Sequence, residues 1–188
     1  MRGPPTAKNQ KTWEGTKVNW FMVLAKGKAH VEVMPQDWNL DGVGLAEFVA
    51  RLKGILRRML GLYARLPKTV FTDRGTGMYS PQGHIVRYYA EALDEAGFET
   101  FWGHDASQQA ADMPDLLLHE NAVGVFRNRM RKEKPVVVPW KETVEMWTER
   151  AAKVVQWMND GDALDRLCRR FPERVQACSD AGGERLPR

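Results

Sequence analysis

Two carboxylates stand at positions where an acidic side chain could take part in a reaction. Asp73 follows a short apolar stretch and precedes the glycine-containing segment 74–77, and ligands of α/β proteins tend to bind where a strand ends in such a loop. Glu120 opens a stretch with helical periodicity. Carboxylate oxygens suit divalent cations, which can activate water for attack on a phosphodiester. The pair therefore predicts metal-dependent phosphodiester chemistry.

Each acid also has a purely structural interpretation. Aspartate commonly caps the turn that follows a strand, which would account for Asp73. An acid in the first turn of a helix is favoured by the helix dipole, which would account for Glu120. A two-metal site generally needs a third acidic ligand as well, so the two residues alone leave both interpretations open.

A basic stripe follows Glu120 along the same predicted helix. Positions 120, 124, 127 and 131 fall on one helical face and hold Glu120, Gly124, Arg127 and Arg131. Glycine lets a backbone or a ligand approach closely, and arginine binds phosphate in a fixed geometry. We expect Arg127, Arg131 and Lys132, together with Arg74 beside Asp73, to contact nucleic acid. The alternative is a solvated charged face.

The elements that must position these side chains alternate between strands and helices. Such an order is typical of an α/β fold with a mixed sheet. The predicted elements are strands over 18–24 and 29–34, a helix from Asp41 or Gly42 to about Leu60, a strand over 69–71, a helix over 82–96, a strand over 98–102, a helix to about Lys132, and helices over 142–158 and 163–170.

The composition is that of one globular domain. The 188 residues are 43% hydrophobic and 28% charged, with a formal charge of +4 that is compatible with an anionic partner. No segment approaches the roughly 20 apolar residues of a transmembrane helix, so we expect no membrane attachment. Cys168 and Cys178 lack metal-ligand spacing and are interpreted as ordinary reduced thiols. The four histidines likewise form no pair with ligand spacing.

The order of the motifs resembles the DDE transposases of the mariner superfamily. The resemblance depends on the segment Val70-Phe71-Thr72-Asp73, the helix from His84 to Gly97, the strand 98–102, and Pro114-Asp115-Leu116 leading to Glu120-Asn121 with basic residues after it. It implies an RNase H-like mixed sheet flanked by helices. It also implies that Asp73 and Glu120 are the second and third catalytic acids and ligands of Mg²⁺ or Mn²⁺.

The same resemblance implies a partner and a location. DNA would be the substrate, cut and joined at its phosphodiesters, and a homodimer is left open. The protein would work in the nucleus of a eukaryote, and otherwise in the cytoplasm with the DNA. Along the chain, the resemblance divides the sequence into a flexible segment 1–17, an RNase H-like portion 18–134, a helical extension 135–178 and a disordered tail 179–188.

The sequence departs from the family pattern in three ways. Arg74 stands where the family usually has asparagine, and the spacing from Asp73 to Glu120 is longer than usual. The family's first aspartate lies on a strand before the hairpin, whereas Glu14 is the only acid in residues 1–17. We therefore expect the first strand to be missing and the chain to be incomplete or inactive as an endonuclease. A missing central strand would leave unpaired backbone and apolar surface, which favours self-association.

Two other functions remain open at this point. A non-enzymatic DNA-binding or interaction module would keep the fold and the basic stripe without using the acids. An unrelated small-molecule enzyme would place its pocket where the strand ends at Asp73.

Overall fold

The computed structural model describes residues 17–39, 41–72, 77–82, 84–101, 118–133 and 141–182. These residues form a mixed α/β structure with five helices and two small sheets, as predicted for the fold class. The elements are β1 (Asn19–Ala25), β2 (Lys28–Met34), α1 (Gly42–Leu60), β3 (Thr69–Val70), α2 (Arg87–Ala96), β4 (Glu99–Thr100), α3 (Leu118–Lys132), α4 (Val144–Asp160) and α5 (Ala163–Asp180).

The predicted N-terminal hairpin is confirmed. β1 and β2 pair antiparallel from Asn19 opposite Met34 to Ala25 opposite Lys28. Only Lys26 and Gly27 form the turn, and both have positive φ, 48° and 72°. Two such residues give the turn whose twist matches that of the flanking strands, so the turn is two residues long rather than the four that were expected.

The hairpin lies between two layers of helices. Phe21 and Val23 of β1 pack against a buried cluster formed mainly by α1 and α2. Trp20 and Met22, on the opposite face, pack against a second cluster built from α3, α4 and α5. Partial burial on both faces explains why β1 is apolar from Trp20 to Ala25 rather than alternating with polar residues.

The second sheet consists of β3 and β4, which pair in parallel over two residues each. The backbone N–H of Glu99 donates to the carbonyl of Lys68 at 2.9 Å, and that of Phe101 donates to the carbonyl of Val70 at 2.8 Å. Val70 packs against the same α1 and α2 cluster as the hairpin. Among the described residues, the two sheets are not hydrogen-bonded to each other.

α1 begins where the sequence predicts it. The side chain of Asp41 accepts a hydrogen bond from the backbone N–H of Gly44 at 2.9 Å, which satisfies one of the free donors at the helix start. The apolar stripe predicted for this helix is buried or partly buried against α2 and the hairpin.

α2 begins at Arg87, later than the predicted start at residue 82. The preceding residues fold back on themselves: Tyr79 forms an antiparallel bridge with Ile85, and the N–H of Val86 donates to the carbonyl of Met78 at 2.8 Å. The N–H and C=O groups of residues 84–86 therefore form hydrogen bonds across this bridge instead of the bonds of a helical turn. Gly97 ends the helix at φ 66°, as predicted.

α5 is longer than the sequence predicts. It continues past the expected end at Arg170 and reaches Asp180, so Ser179 and Asp180 are helical although they were assigned to the tail. Pro172 lies inside the helix. Proline lacks the N–H that would bond to the carbonyl four residues earlier, and the helix passes through it nonetheless.

Candidate functional site

Glu120 lies in the first turn of α3, and its side chain is exposed. The helix is oriented by its apolar face, from which Ala122, Phe126 and Met130 are buried in the cluster shared with α4 and the hairpin. The prediction that Glu120 opens a helix ending near Lys132 is therefore confirmed. At the helix N-terminus the negative charge of Glu120 interacts favourably with the positive end of the helix dipole. The carboxylate is exposed to solvent there.

The basic stripe is exposed. Arg127, Arg131 and Lys132 all face solvent, and we call these three cations with Gly124 the α3 ridge. A side chain built at Gly124 would meet nothing within 4 Å, so packing does not require the glycine. The ridge is therefore an open surface that begins one turn after Glu120.

Among the residues that the structure describes, the cations of the α3 ridge pair with no acid. The guanidinium of Arg127 lies 6.0 Å from the centre of the Trp20 ring, and that of Arg131 donates to Oδ1 of Asn128 at 3.3 Å. Within the described ranges, no ion pair joins Arg127, Arg131 or Lys132 to a carboxylate. Their charge therefore remains available to an anionic ligand.

Arg129, in the middle of the same basic run, has a structural role. Its guanidinium lies 4.7 Å from the centre of the Trp157 ring and pairs with Glu133 at 2.6 Å. It is half-buried between α3 and α4. The run 127–132 thus splits into a face that joins the helices and a face that is open to solvent.

Asp73 and Arg74 lie outside the described residues, as do Pro114, Asp115 and Leu116, which belong to the motif before Glu120. Nothing in the structure bears on their side chains. The strand that leads to Asp73 is β3, which is shorter than predicted and ends at Val70.

The carboxyl ends of the parallel strands meet the N-terminus of α3. The ring of Phe71, directly after β3, lies 5.3 Å from the ring of Phe101, directly after β4. It also lies 6.1 Å from the ring of His119, the neighbour of Glu120. The end of a strand and the start of a helix therefore lie close together, through aromatic contacts that the sequence pattern did not indicate.

No complete metal site is formed by the residues that the structure describes. In these ranges, no group of three or more histidine, cysteine, aspartate or glutamate side chains could hold an ion. Nε2 of His30 lies 2.9 Å from Oε2 of Glu32. Cys168 is exposed and Cys178 is buried, and both are free thiols.

A second polar cluster was missed by the sequence analysis. Oε2 of Glu32 on β2 is 3.3 Å from the guanidinium of Arg58 on α1, and Oε1 is 3.9 Å from that of Arg51. Two features of the sequence could have indicated this cluster. His30 and Glu32 alternate with apolar residues on β2 and so share one face of the strand, and Arg51 and Arg58 are seven residues apart and so share one face of α1. Two arginines against one acid leave this surface basic.

An apolar cavity of about 190 Å³ lies near the hairpin turn. Leu24, Leu118, Leu164 and Cys168 are among its lining residues, and none of them belongs to β3 or β4. The cavity is therefore not the pocket that a small-molecule enzyme would have at the end of β3.

Among the described helices, none is long and apolar enough to cross a bilayer.

Comparisons with models of protein families, with curated proteins and with solved structures find no match to this chain.

Proposed function

We propose that this protein is a DNA-binding domain of the DDE transposase type that contacts the DNA backbone through the α3 ridge. The observation that supports this proposal is the set of three exposed cations in the last two turns of α3, with no acid paired to them in the described ranges: Arg127 and Arg131 on one face, and Lys132 next to Arg131. Phosphate contacts supply most of the affinity of non-specific DNA binding.

The dimensions of the α3 ridge fit this role. A helix rises about 1.5 Å per residue, so the α3 ridge spans about 12 Å from Gly124 to Lys132. That length covers several phosphates of one DNA strand. The gap in side chains at Gly124 would let a sugar-phosphate backbone cross the helix closely.

The proposal extends to a metal ion held by Asp73 and Glu120. One residue, Thr72, separates Phe71 from Asp73, so covalent geometry keeps the Cα atoms of Phe71 and Asp73 within about 7 Å. Phe71 contacts His119, the neighbour of Glu120, which supports a short distance between the two carboxylates. The ion would be Mg²⁺ or Mn²⁺, and when bound it would lower the pKa of a coordinated water for attack on a phosphodiester.

An RNase H-like sheet and weak or absent cleavage are part of the same proposal. The order of an antiparallel hairpin, a helix, and two parallel strands joined through a second helix supports that architecture. Two carboxylates are one fewer than a two-metal mechanism generally uses. DNA binding without efficient cutting is therefore the function we assign to this chain, with action in the nucleus if the source is eukaryotic.

A second candidate is a DNA-binding module that uses the α3 ridge without any metal. The three exposed cations of the α3 ridge support it equally, because their position on the surface does not depend on the acids. It differs from the first candidate only in the roles of Asp73 and Glu120. The two candidates are therefore distinguished by whether Mn²⁺ binds at Asp73 and Glu120.

Salt-dependent DNA binding tests the proposal. Fluorescence anisotropy of a labelled 20-base-pair duplex, titrated at several KCl concentrations, gives the slope of log K against log salt. Each phosphate contact contributes about 0.9 to that slope, so Arg131→Gln and Lys132→Gln should each reduce it by about 1. Arg166→Gln is the matched control because Arg166 is an exposed arginine on α5, paired with Asp162 at 3.0 Å.

Two results would contradict the proposal. A slope that is the same in Arg131→Gln, Lys132→Gln and the wild type would show that the α3 ridge does not contact DNA. An equal loss in Arg166→Gln would show that the whole basic surface acts without selectivity.

A further inference from the structure

Tyr63 lies in the loop that follows α1, and 96% of it is exposed. This is the largest exposed fraction of any large hydrophobic residue in the described ranges, and its neighbour Leu62 is 67% exposed. An aromatic side chain stabilises a fold by burying its ring, which Tyr63 does not do. The ring is therefore accessible to a ligand. We call residues 61–66 the Tyr63 loop.

Arg57 holds the Tyr63 loop in place. Its guanidinium, on the last turn of α1, donates to the carbonyls of Leu62 and Ala64, the latter at 2.8 Å. These carbonyls belong to the residues on either side of Tyr63. The backbone N–H of Ala64 also donates to the carbonyl of Gly61 at 3.2 Å. A residue whose backbone is already fixed loses less conformational entropy when it binds a ligand, which favours affinity.

The hairpin turn gives the Tyr63 loop a second anchor and additional positive charge. Nζ of Lys26 donates to the carbonyl of Arg65 at 2.8 Å. An ammonium group has three donors, so this bond leaves Lys26 able to contact an anion as well. The side chain of Arg65 is exposed. The loop therefore carries one cation and contacts another.

The sequence around the Tyr63 loop is strongly basic. Residues 48–72 contain no acid and six cations, which are Arg51, Lys53, Arg57, Arg58, Arg65 and Lys68. The net charge of the whole chain is only +4, so positive charge is concentrated in this stretch. Glu32 of β2 pairs with two of the arginines, which leaves the cations in excess. This charge favours an anionic ligand.

Unpaired nucleic acid combines the two properties that this surface fits. In proteins that bind single strands, aromatic rings stack on bases and cations follow the phosphates. The bases of a duplex already stack on each other, so an exposed ring needs an unpaired base. Arg65 is two residues after Tyr63, which keeps their Cα atoms within about 7 Å. Its guanidinium can therefore reach a phosphate next to a base that is stacked on Tyr63.

We propose that the Tyr63 loop binds single-stranded DNA, with the ring of Tyr63 stacked on an unpaired base and with Arg65 and Lys26 contacting the adjacent phosphates. The inference rests on the proposed function, since DNA is the ligand in both. It adds a separate surface and a different form of the ligand. The α3 ridge contacts the backbone of a duplex, whereas the Tyr63 loop requires a base that is not paired.

The fluorescence of 2-aminopurine tests this proposal on the full chain. The probe is a thymidine oligonucleotide with one 2-aminopurine at its centre, whose fluorescence falls when an aromatic ring stacks on that base. We expect the wild type to bind this strand and to quench the fluorescence. Tyr63→Ala should bind about fivefold more weakly or worse and should lose most of the quenching. Tyr63→Phe, which keeps an aromatic ring, should behave like the wild type.

Tyr88→Ala is the matched control for this experiment. Tyr88 is also an exposed tyrosine, at 59%, but it lies on α2 outside the basic stretch. Its variant should bind and quench the strand like the wild type. Tyr63→Ala should in turn bind the 20-base-pair duplex with the affinity and the salt dependence of the wild type, which will show that the variant is folded.

Nitration of tyrosine gives an independent test. Tetranitromethane nitrates accessible tyrosine rings, and the other two tyrosines of the chain, Tyr79 and Tyr89, are buried. Mass spectrometry of the protein alone should find nitration at Tyr63 and Tyr88. The thymidine oligonucleotide should slow the nitration of Tyr63 at least threefold and leave that of Tyr88 unchanged.

Four results would overturn the inference. They are no binding of the strand at low salt, equal quenching by Tyr63→Ala and the wild type, an equal loss in Tyr88→Ala, and slow nitration of Tyr63 in the protein alone. The last would mean that another part of the chain covers the ring. Each of them leaves the proposed function intact as long as the wild type binds the duplex through the α3 ridge. A wild type that does not bind the duplex would contradict the proposed function itself.

Discussion

The ring of Phe71 contacts the ring of His119, with 6.1 Å between their centres and an angle of 58° between their planes. Phe71 directly follows β3, and His119 precedes Glu120 in the first turn of α3. This contact brings the end of a short strand to the start of a helix that is distant in the sequence. Every proposal about Asp73 and Glu120 acting together depends on it.

The first prediction concerns Mn²⁺. Added Mn²⁺ should broaden the NMR signals of residues close to the proposed ligands, because its unpaired electrons enhance relaxation over a limited distance. We expect the amides of Phe71, His119 and Glu120 to lose intensity first. Asp73→Asn and Glu120→Gln should each reduce this broadening by removing a charged oxygen ligand.

Glu133→Gln is the control for this experiment, because Glu133 belongs to the same segment but pairs with Arg129 at 2.6 Å. It should leave the Mn²⁺ effect unchanged. Broadening that is spread evenly over all exposed acids would contradict a metal site at Asp73 and Glu120, and would favour the candidate that uses the α3 ridge alone.

The second prediction concerns Arg150, which joins three parts of the structure. Its guanidinium makes two hydrogen bonds of 2.7 Å to the carboxylate of Glu142, and it donates to the carbonyls of Met130 at 2.7 Å and Glu133 at 3.2 Å near the end of α3. Both charged side chains are largely buried, with 15% and 10% exposed. Arg150→Met should lower the free energy of unfolding by about 3–5 kcal/mol, because Glu142 would be left buried without its partner.

Urea denaturation followed by circular dichroism measures this change. The double variant Arg150→Met with Glu142→Leu should recover much of the loss, because replacing a buried ion pair by apolar residues is often nearly neutral. A loss equal to that of the single variant would show that the carbonyls of α3, rather than Glu142, are the main partners of Arg150.

The third prediction concerns Asn159, whose amide makes two hydrogen bonds to the backbone of Ala29. Asn159→Leu keeps a similar volume but leaves the buried N–H and C=O of Ala29 unsatisfied. We expect a loss of about 1–3 kcal/mol in the free energy of unfolding. Asp160→Ala is the control because Asp160 is the exposed neighbour of Asn159, and it should change stability little. Equal effects of the two variants would contradict a specific role for the amide.

The fourth prediction compares two glycines inside helices. A Cβ at Gly44 would overlap the carbonyl oxygen of Asn39 and lie 2.8 Å from the ring of Trp38, whereas a Cβ at Gly124 would meet nothing within 4 Å. Gly44→Ala should therefore destabilise the protein by about 1–3 kcal/mol or more, because backbone atoms would have to move. Gly124→Ala should stabilise it by up to about 1 kcal/mol, because alanine favours the helix. Thermal unfolding of both variants tests these predictions: the melting temperature should fall in Gly44→Ala and rise in Gly124→Ala.

Much of the fold followed from local sequence signals. The hairpin depends on two β-prone stretches around Gly27, and the start of α1 depends on Asp41. Both signals lie within a few residues of the element that they predict. The start of α2 could not be predicted in the same way, because Ile85 fits the helical period but pairs with Tyr79 instead. Tertiary pairing decided between two conformations that the local sequence allows.

Less of the candidate site could be predicted. Helical periodicity alone correctly indicated that Arg127 and Arg131 are exposed. It could not show that Arg129 joins α3 to α4, because that role depends on Trp157, which is distant in the sequence. The same applies to Phe71 and His119, whose contact depends on how β3 and α3 pack. The metal ligation proposed for Asp73 remains a prediction.

The bonds between Asn159 and Ala29 have a consequence for synthesis on the ribosome. These residues are 130 positions apart, and chains are made at about 5–20 residues per second. The hairpin is therefore complete on the order of ten seconds before α4 exists to cover it. During that time the face that carries Trp20 and Met22 lacks its full cover on the nascent chain, which is the situation in which chaperones bind and neighbouring chains aggregate. We expect expression at lower temperature or with additional chaperones to raise the yield of folded protein.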